Sequence, residues 1–88
     1  MAEEEQGVWL TGAQLRAARA LIGIGTEALA EASKVGTRTI NRAESVEGIV
    51  PITAANAQRL IETLQRRGVV FLPSNGGGPG VRLRRRPV

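Results

Sequence analysis

The side chains best equipped for chemistry in this chain stand together in the run "GTRTINRAE": Thr37, Arg38, Asn41 and Arg42. Arginine offers a planar, bidentate fork suited to phosphate or guanine. Other common chemistries are excluded by composition. The sequence holds no cysteine and no histidine, which removes the usual zinc sites, thiol nucleophiles and imidazole bases. Three of the eight acids are Glu3, Glu4 and Glu5, and the five that remain form no carboxylate pair or nucleophile constellation. Neither an enzyme nor a metal or cofactor site is expected. The glycines of "SNGGGPG" do not make a phosphate loop either, because they precede Pro79 and an arginine-rich run instead of opening a helix with Lys-Ser/Thr behind them.

Charge points to a polyanionic partner. Twelve Lys plus Arg against eight acids give +4, and residues 6–88 alone, with twelve cations and five acids, carry +7. Eleven of the twelve cations are arginine, a bias that a GC-rich genome also produces. At 88 residues and 42% hydrophobic content the chain supports one modest core, and a second subunit is the expected source of extra stability. There is no apolar run approaching the roughly 18 residues of a membrane span, and "MAEEEQG" is acidic where a signal peptide is basic. A cytoplasmic protein without membrane contact is the expectation.

Four helices are needed to position the polar cluster. "LTGAQLRAARALIG" places Thr11 as N-cap with Gln14 three residues on, Leu15, Ala18, Leu21 and Ile22 at helical spacing, and Gly23 at the end. "GTEALAEASKV" gives a short second helix capped by Gly25 or Thr26, with Glu27 in its first turn and Leu29, Ala30 and Ala32 as small packing residues. A third begins near Gly36 or Thr37, with Ile40 and Ala43 spaced by three. Residues 45–52 form a loop, broken by Gly48 and Pro51. The fourth helix covers residues 53–67, with Thr53 as cap and Arg66 and Arg67 in its last turn. Beyond it, "VVFLP" and "VRLRRR" read as two strands, 69–72 and 81–84, joined by a glycine-rich turn.

Two short helices joined by a tight turn make a helix-turn-helix, whose second helix enters the major groove by its N-terminal end. With Ile40 and Ala43 turned to the core beside Leu29, Ala30 and Val35, the side chains of Thr37, Arg38, Asn41 and Arg42 point outward and can reach DNA. Glu44 has a structural role, closing the helix end or pairing with Arg16 or Arg19. Trp9, just before the Thr11 cap, packs as an apolar staple or at an interface.

The run "LTGAQLRAARALIGIGTEALAEASKVGTRTINRAE" resembles the Xre/Cro-like helix-turn-helix transcription regulators, through Arg16 or Arg19, Leu29-Ala30, and Thr39-Ile40 with Glu44. Downstream, a fourth helix followed by "GVVF" and "GGGPGVRLR" is similar to small bacterial members of that family. The resemblance implies a mainly α fold, a four-helix lambda-repressor-like DNA-binding domain with a C-terminal two-stranded β segment. It implies base contacts by Thr37, Arg38, Asn41 and Arg42, with arginine seeking guanine and asparagine adenine, and phosphate contacts by Thr26, Lys34, Gly36 and Thr39. The chain departs from the pattern at Lys34, where the family commonly has glycine, so this residue is expected to take a left-handed conformation at a cost of about 1 kcal/mol. It departs again at Gly25-Thr26 and at Glu47.

The organisation that follows is an acidic, disordered N-terminus (1–8), a helix-turn-helix domain (9–68), a C-terminal β-hairpin (69–84) and a basic tail (85–88). A lone hairpin is unstable in water, so it is expected to pack on the fourth helix, pair with another subunit, or both. Val69, Phe71, Val81 and Leu83 are the expected homodimer interface. The function expected is a sequence-specific transcriptional regulator, a repressor binding double-stranded DNA at an inverted repeat. The alternative is a DNA-binding antitoxin or adaptor whose hairpin binds a second protein.

Overall fold

The computed structural model describes residues 9–74 and 76–84. The acidic start and the basic tail expected at 1–8 and 85–88 lie outside the described residues. Four helices precede a two-stranded antiparallel sheet: α1 (Gly12–Ile22), α2 (Thr26–Ser33), α3 (Thr37–Glu44), α4 (Ala54–Arg66), β1 (Val69–Leu72) and β2 (Gly80–Leu83). The fold is mainly helical. Among the described residues no helix is long and apolar enough to cross a membrane.

Local chemistry sets the helix ends. Thr11 and Gln14 form a reciprocal capping box at α1, and Gly23 closes that helix in the left-handed conformation. Thr53 caps α4 by accepting from the Asn56 N–H at 3.1 Å, an interaction worth about 1 kcal/mol. Between α2 and α3 the chain turns in three residues. Lys34 takes φ 65° and its N–H donates to the Ala30 carbonyl, as its departure from glycine leads one to expect. The Ser33 hydroxyl accepts from the Val35 N–H, and the Val35 side chain, 2% exposed, anchors the turn in the core.

One apolar core joins the helices to the hairpin. Leu10, Leu15, Leu29, Ile40, Leu60 and Leu64 are fully buried in it, together with Val69. The 45–52 segment is tied down more firmly than a plain loop, by the pairing of Thr11 with Ile49, the Val50 N–H to Leu10 carbonyl bond and the buried Val50 side chain.

The hairpin pairs Val69 with Leu83, Val70 with Arg82, Phe71 with Val81 and Leu72 with Gly80, so β2 begins one residue earlier than the sequence suggests. Side chains directly opposite each other share a face and successive residues alternate. Val69, Phe71, Val81 and Leu83 therefore form one face, and it is the inward one. Val69 and Phe71 are only 1% and 7% exposed and Val81 packs against the core, with Trp9 meeting Phe71 edge-on at 6.1 Å. Two of the four side chains expected at a dimer interface, Val69 and Phe71, are thus buried within the chain. Outward stand Val70, Leu72, Arg82 and Arg84.

Candidate nucleic-acid interface

α3 is held at its back and at its C-terminal end, which leaves its front open. Ile40 and Ala43 are fully buried, while Thr37, Arg38, Asn41 and Arg42 are all exposed. Among the described residues the side chains of Arg38 and Arg42 make no ion pair or hydrogen bond. Two cationic forks, one amide and one small hydroxyl thus occupy one helical surface without a side-chain partner among the described residues. Arginine, asparagine and threonine are side chains able to read base edges in a major groove.

The residues expected at phosphates lie on α2, in the turn and on α3. Lys34 and Gly36, in the turn and at the α3 N-cap, are exposed, whereas Thr26, at the start of α2, and Thr39 are half-buried. Neither α2 nor α3 carries a side-chain cap: Gly25 and Gly36 occupy those positions, so the first-turn N–H groups of both helices lack an intrachain side-chain acceptor at the cap.

The opposite end of α3 is clamped by α1. Arg19 grips Glu44 with two hydrogen bonds, Nε to Oε2 at 2.6 Å and Nη2 to Oε1 at 2.8 Å, and a third arm reaches the Ile24 carbonyl at 3.0 Å. Its side chain is 23% exposed and that of Glu44 10%, so the pair is well shielded from water. The bond to Glu44 holds the Arg19 guanidinium above its ordinary pKa, with burial acting in the other direction. Arg16 adds a second clamp, donating from Nη1 to the carbonyls of Glu44 (2.6 Å) and Val46 (3.1 Å) and from Nη2 to Glu47 (2.9 Å). Glu44 is thus paired as expected from the sequence. Glu47, a departure from the resembled pattern, gives Arg16 its counter-charge.

Three positioning residues do more than the sequence predicts. Arg16 satisfies the last carbonyls of α3, a role that needs three-dimensional proximity and leaves no local mark. Gly12 lets α1 approach α3, since a Cβ there would overlap the Val46 carbonyl oxygen and lie 2.6 Å from that of Ala43. A signal was available at this position, because glycine in a helix costs about 1 kcal/mol relative to alanine. Gln14 does more than cap: its Oε1 accepts from the Thr11 N–H and hydroxyl, and its Nε2 donates to the carbonyls of Leu72 and Gly80 at 3.0 Å each. All the bonding capacity of a buried amide is used, fastening the hairpin to α1.

Compared with known proteins, the chain matches no protein-family model and no curated protein sequence. What defines the site is its own geometry: a short helix fixed from behind, with an unengaged polar and cationic front.

Proposed function

We propose that the protein is a sequence-specific DNA-binding regulator of the Xre/Cro-like, lambda-repressor-like kind, a repressor that inserts the front of α3 into the major groove. The observation that carries this reading is the division of α3 into a buried, clamped back and an exposed front formed by Thr37, Arg38, Asn41 and Arg42. Rigid placement matters because a bidentate contact to a base edge tolerates little displacement. In this reading Arg38 and Arg42 seek guanine, Asn41 seeks adenine, and Lys34, Gly36, Thr26 and Thr39 lie along the phosphates. The protein acts as a homodimer on an inverted repeat, presenting two α3 helices about one helical turn apart. Because Val69 and Phe71 are inward, a dimer made through the hairpin uses its strand edges.

The test is selection of bound sequences from a random DNA pool, followed by measurement of the best site with Arg38→Ala and Arg42→Ala. An inverted repeat should be enriched, each variant losing about 1–3 kcal/mol and relaxing preference at one base position. Equal binding of all sequences by the unaltered protein refutes direct readout by α3.

A further inference from the structure

Most of the net positive charge of residues 9–84 lies outside α1 to α3. Residues 9–53, which include all of α1 to α3, hold five cations and four acids, a net +1. Two of those cations, Arg16 and Arg19, are occupied by Glu47 and Glu44. Residues 54–84 hold five arginines against Glu62 alone, a net +4.

Three of these five arginines, Arg66, Arg67 and Arg84, stand at the last turn of α4, Arg66 also donating to the Thr63 hydroxyl at 3.5 Å, and Arg82 lies two residues before Arg84 on β2. The Arg84 N–H donates to the Gly68 carbonyl at 2.7 Å, and its Nη1 donates to the Gln65 carbonyl at 3.2 Å, which brings the end of β2 onto the last turn of α4. Arg66 and Arg67 lie between Gln65 and Gly68 in the chain, and Arg82 shares the outer face of the hairpin with Arg84. All four are exposed. Capping the negative end of a helix dipole accounts for one or two cations at a C-terminus. It does not account for Arg82, which belongs to the strand. The single acid nearby on α4, Glu62, accepts from Gln58.

α1 separates this cluster from α3. Side chains advance by about 100° per residue around a helix, so Gln14 points about 140–160° away from Gly12, Arg16 and Arg19. Gln14 holds the hairpin, whereas the other three meet α3 and the segment just after it. The hairpin and α3 are therefore fastened to opposite sides of one helix.

We propose that Arg66, Arg67, Arg82 and Arg84 form a second nucleic-acid surface, one that grips backbone phosphates without reading bases. It lies across α1 from α3, so that one chain holds two segments of nucleic acid at once. Arginine forks on a strand and a helix end suit a line of phosphates, whose spacing tolerates approximate placement. The phosphate-gripping part stands apart from the proposed role of α3. Only the two-segment part rests on it.

The test uses the full chain with Arg66→Gln/Arg67→Gln/Arg82→Gln, sparing Arg84 because it ties β2 to α4, and Arg38→Ala/Arg42→Ala as the comparison. Both variants are first checked for an unchanged melting temperature, with the single Arg82→Gln standing in should the triple change fold poorly. Binding to a mixed-sequence duplex is followed across a salt series. Each lost phosphate contact removes about 0.9 from the slope of log K against log salt, so the triple variant should lose about 2–3, or the single variant about 1, with the α3 variant retaining that part. Two differently labelled duplexes should be brought together by the unaltered protein and by neither variant. An unchanged slope in the hairpin variant overturns the second surface. So does equally tight binding to polyglutamate, which indicates an acidic protein partner. If the hairpin variant loses slope while the α3 variant behaves as the unaltered protein, the second surface stands and the α3 reading falls.

Discussion

Substituting Gly12 by alanine should be among the most damaging small changes available to this protein, although it adds one methyl group and improves helix propensity. The new Cβ would overlap the carbonyl oxygen of Val46 and stand 2.6 Å from that of Ala43, both backbone atoms at the end of α3. Relief requires α1 to move off α3, and that movement stretches two bonds: Gly12 N–H to the Gly48 carbonyl at 2.8 Å and Arg16 Nη1 to the Glu44 carbonyl at 2.6 Å. A neutral hydrogen bond contributes about 1 kcal/mol and one from a charged donor about 1.5–3 kcal/mol. Alanine returns at most about 1 kcal/mol of propensity. The net loss should be about 1.5–3 kcal/mol, which for a domain of this size lowers the melting temperature by about 6–24 °C. Thermal unfolding followed by circular dichroism reads this directly. Gly48→Ala is the matched control, because a Cβ there meets nothing within 4 Å and its φ is not left-handed. It should be neutral or stabilise by up to about 1 kcal/mol. A Gly12→Ala protein that melts at or above the unaltered one refutes the close-approach argument.

Two further substitutions probe the frame around α3. Arg19→Met leaves the shielded Glu44 carboxylate without its fork and should cost about 1–3 kcal/mol in denaturant unfolding. Arg19→Met/Glu44→Leu should recover much of it, since an apolar pair replaces a shielded ionic one, and a double variant weaker than the single one counts against the pairing. Lys34→Gly removes a side chain held at φ 65° and should raise stability by up to about 1 kcal/mol. If Lys34 also touches a phosphate, the same variant binds DNA with a salt slope smaller by about 0.9, and a lower melting temperature contradicts the strain.

The helices were legible because their ends are signalled locally. Thr11 with Gln14, Thr53 and Gly23 each act within a few residues of where they stand, and the outward set on α3 followed from the spacing of Ile40 and Ala43 alone. Even the left-handed Lys34 could be anticipated, because the family that the run resembles commonly has glycine at that position. The hairpin was different. Its strand "VVFL" is apolar on both faces, so alternation cannot say whether Val69 and Phe71 or Val70 and Leu72 turn inward. The choice is made by α4 and α1 and by the ring of Trp9. The same is true of Arg16 and of the second task of Gln14, whose partners lie 28 to 66 residues away.

These long-range contacts explain how so small a chain holds α3 still. α3 is eight residues long, well below the roughly 12–15 at which an isolated helix is even marginal in water, and neither its cap nor its composition compensates. Its order is borrowed from α1, through Gly12, Arg16 and Arg19, none of which belongs to the exposed front of α3. Because Gln14 on the far side of α1 binds both strands, that helix also fixes the hairpin and its arginines. A change that loosens α1 should therefore weaken both cationic surfaces together, whereas a change confined to the front of α3 or to the outer face of the hairpin should affect only one.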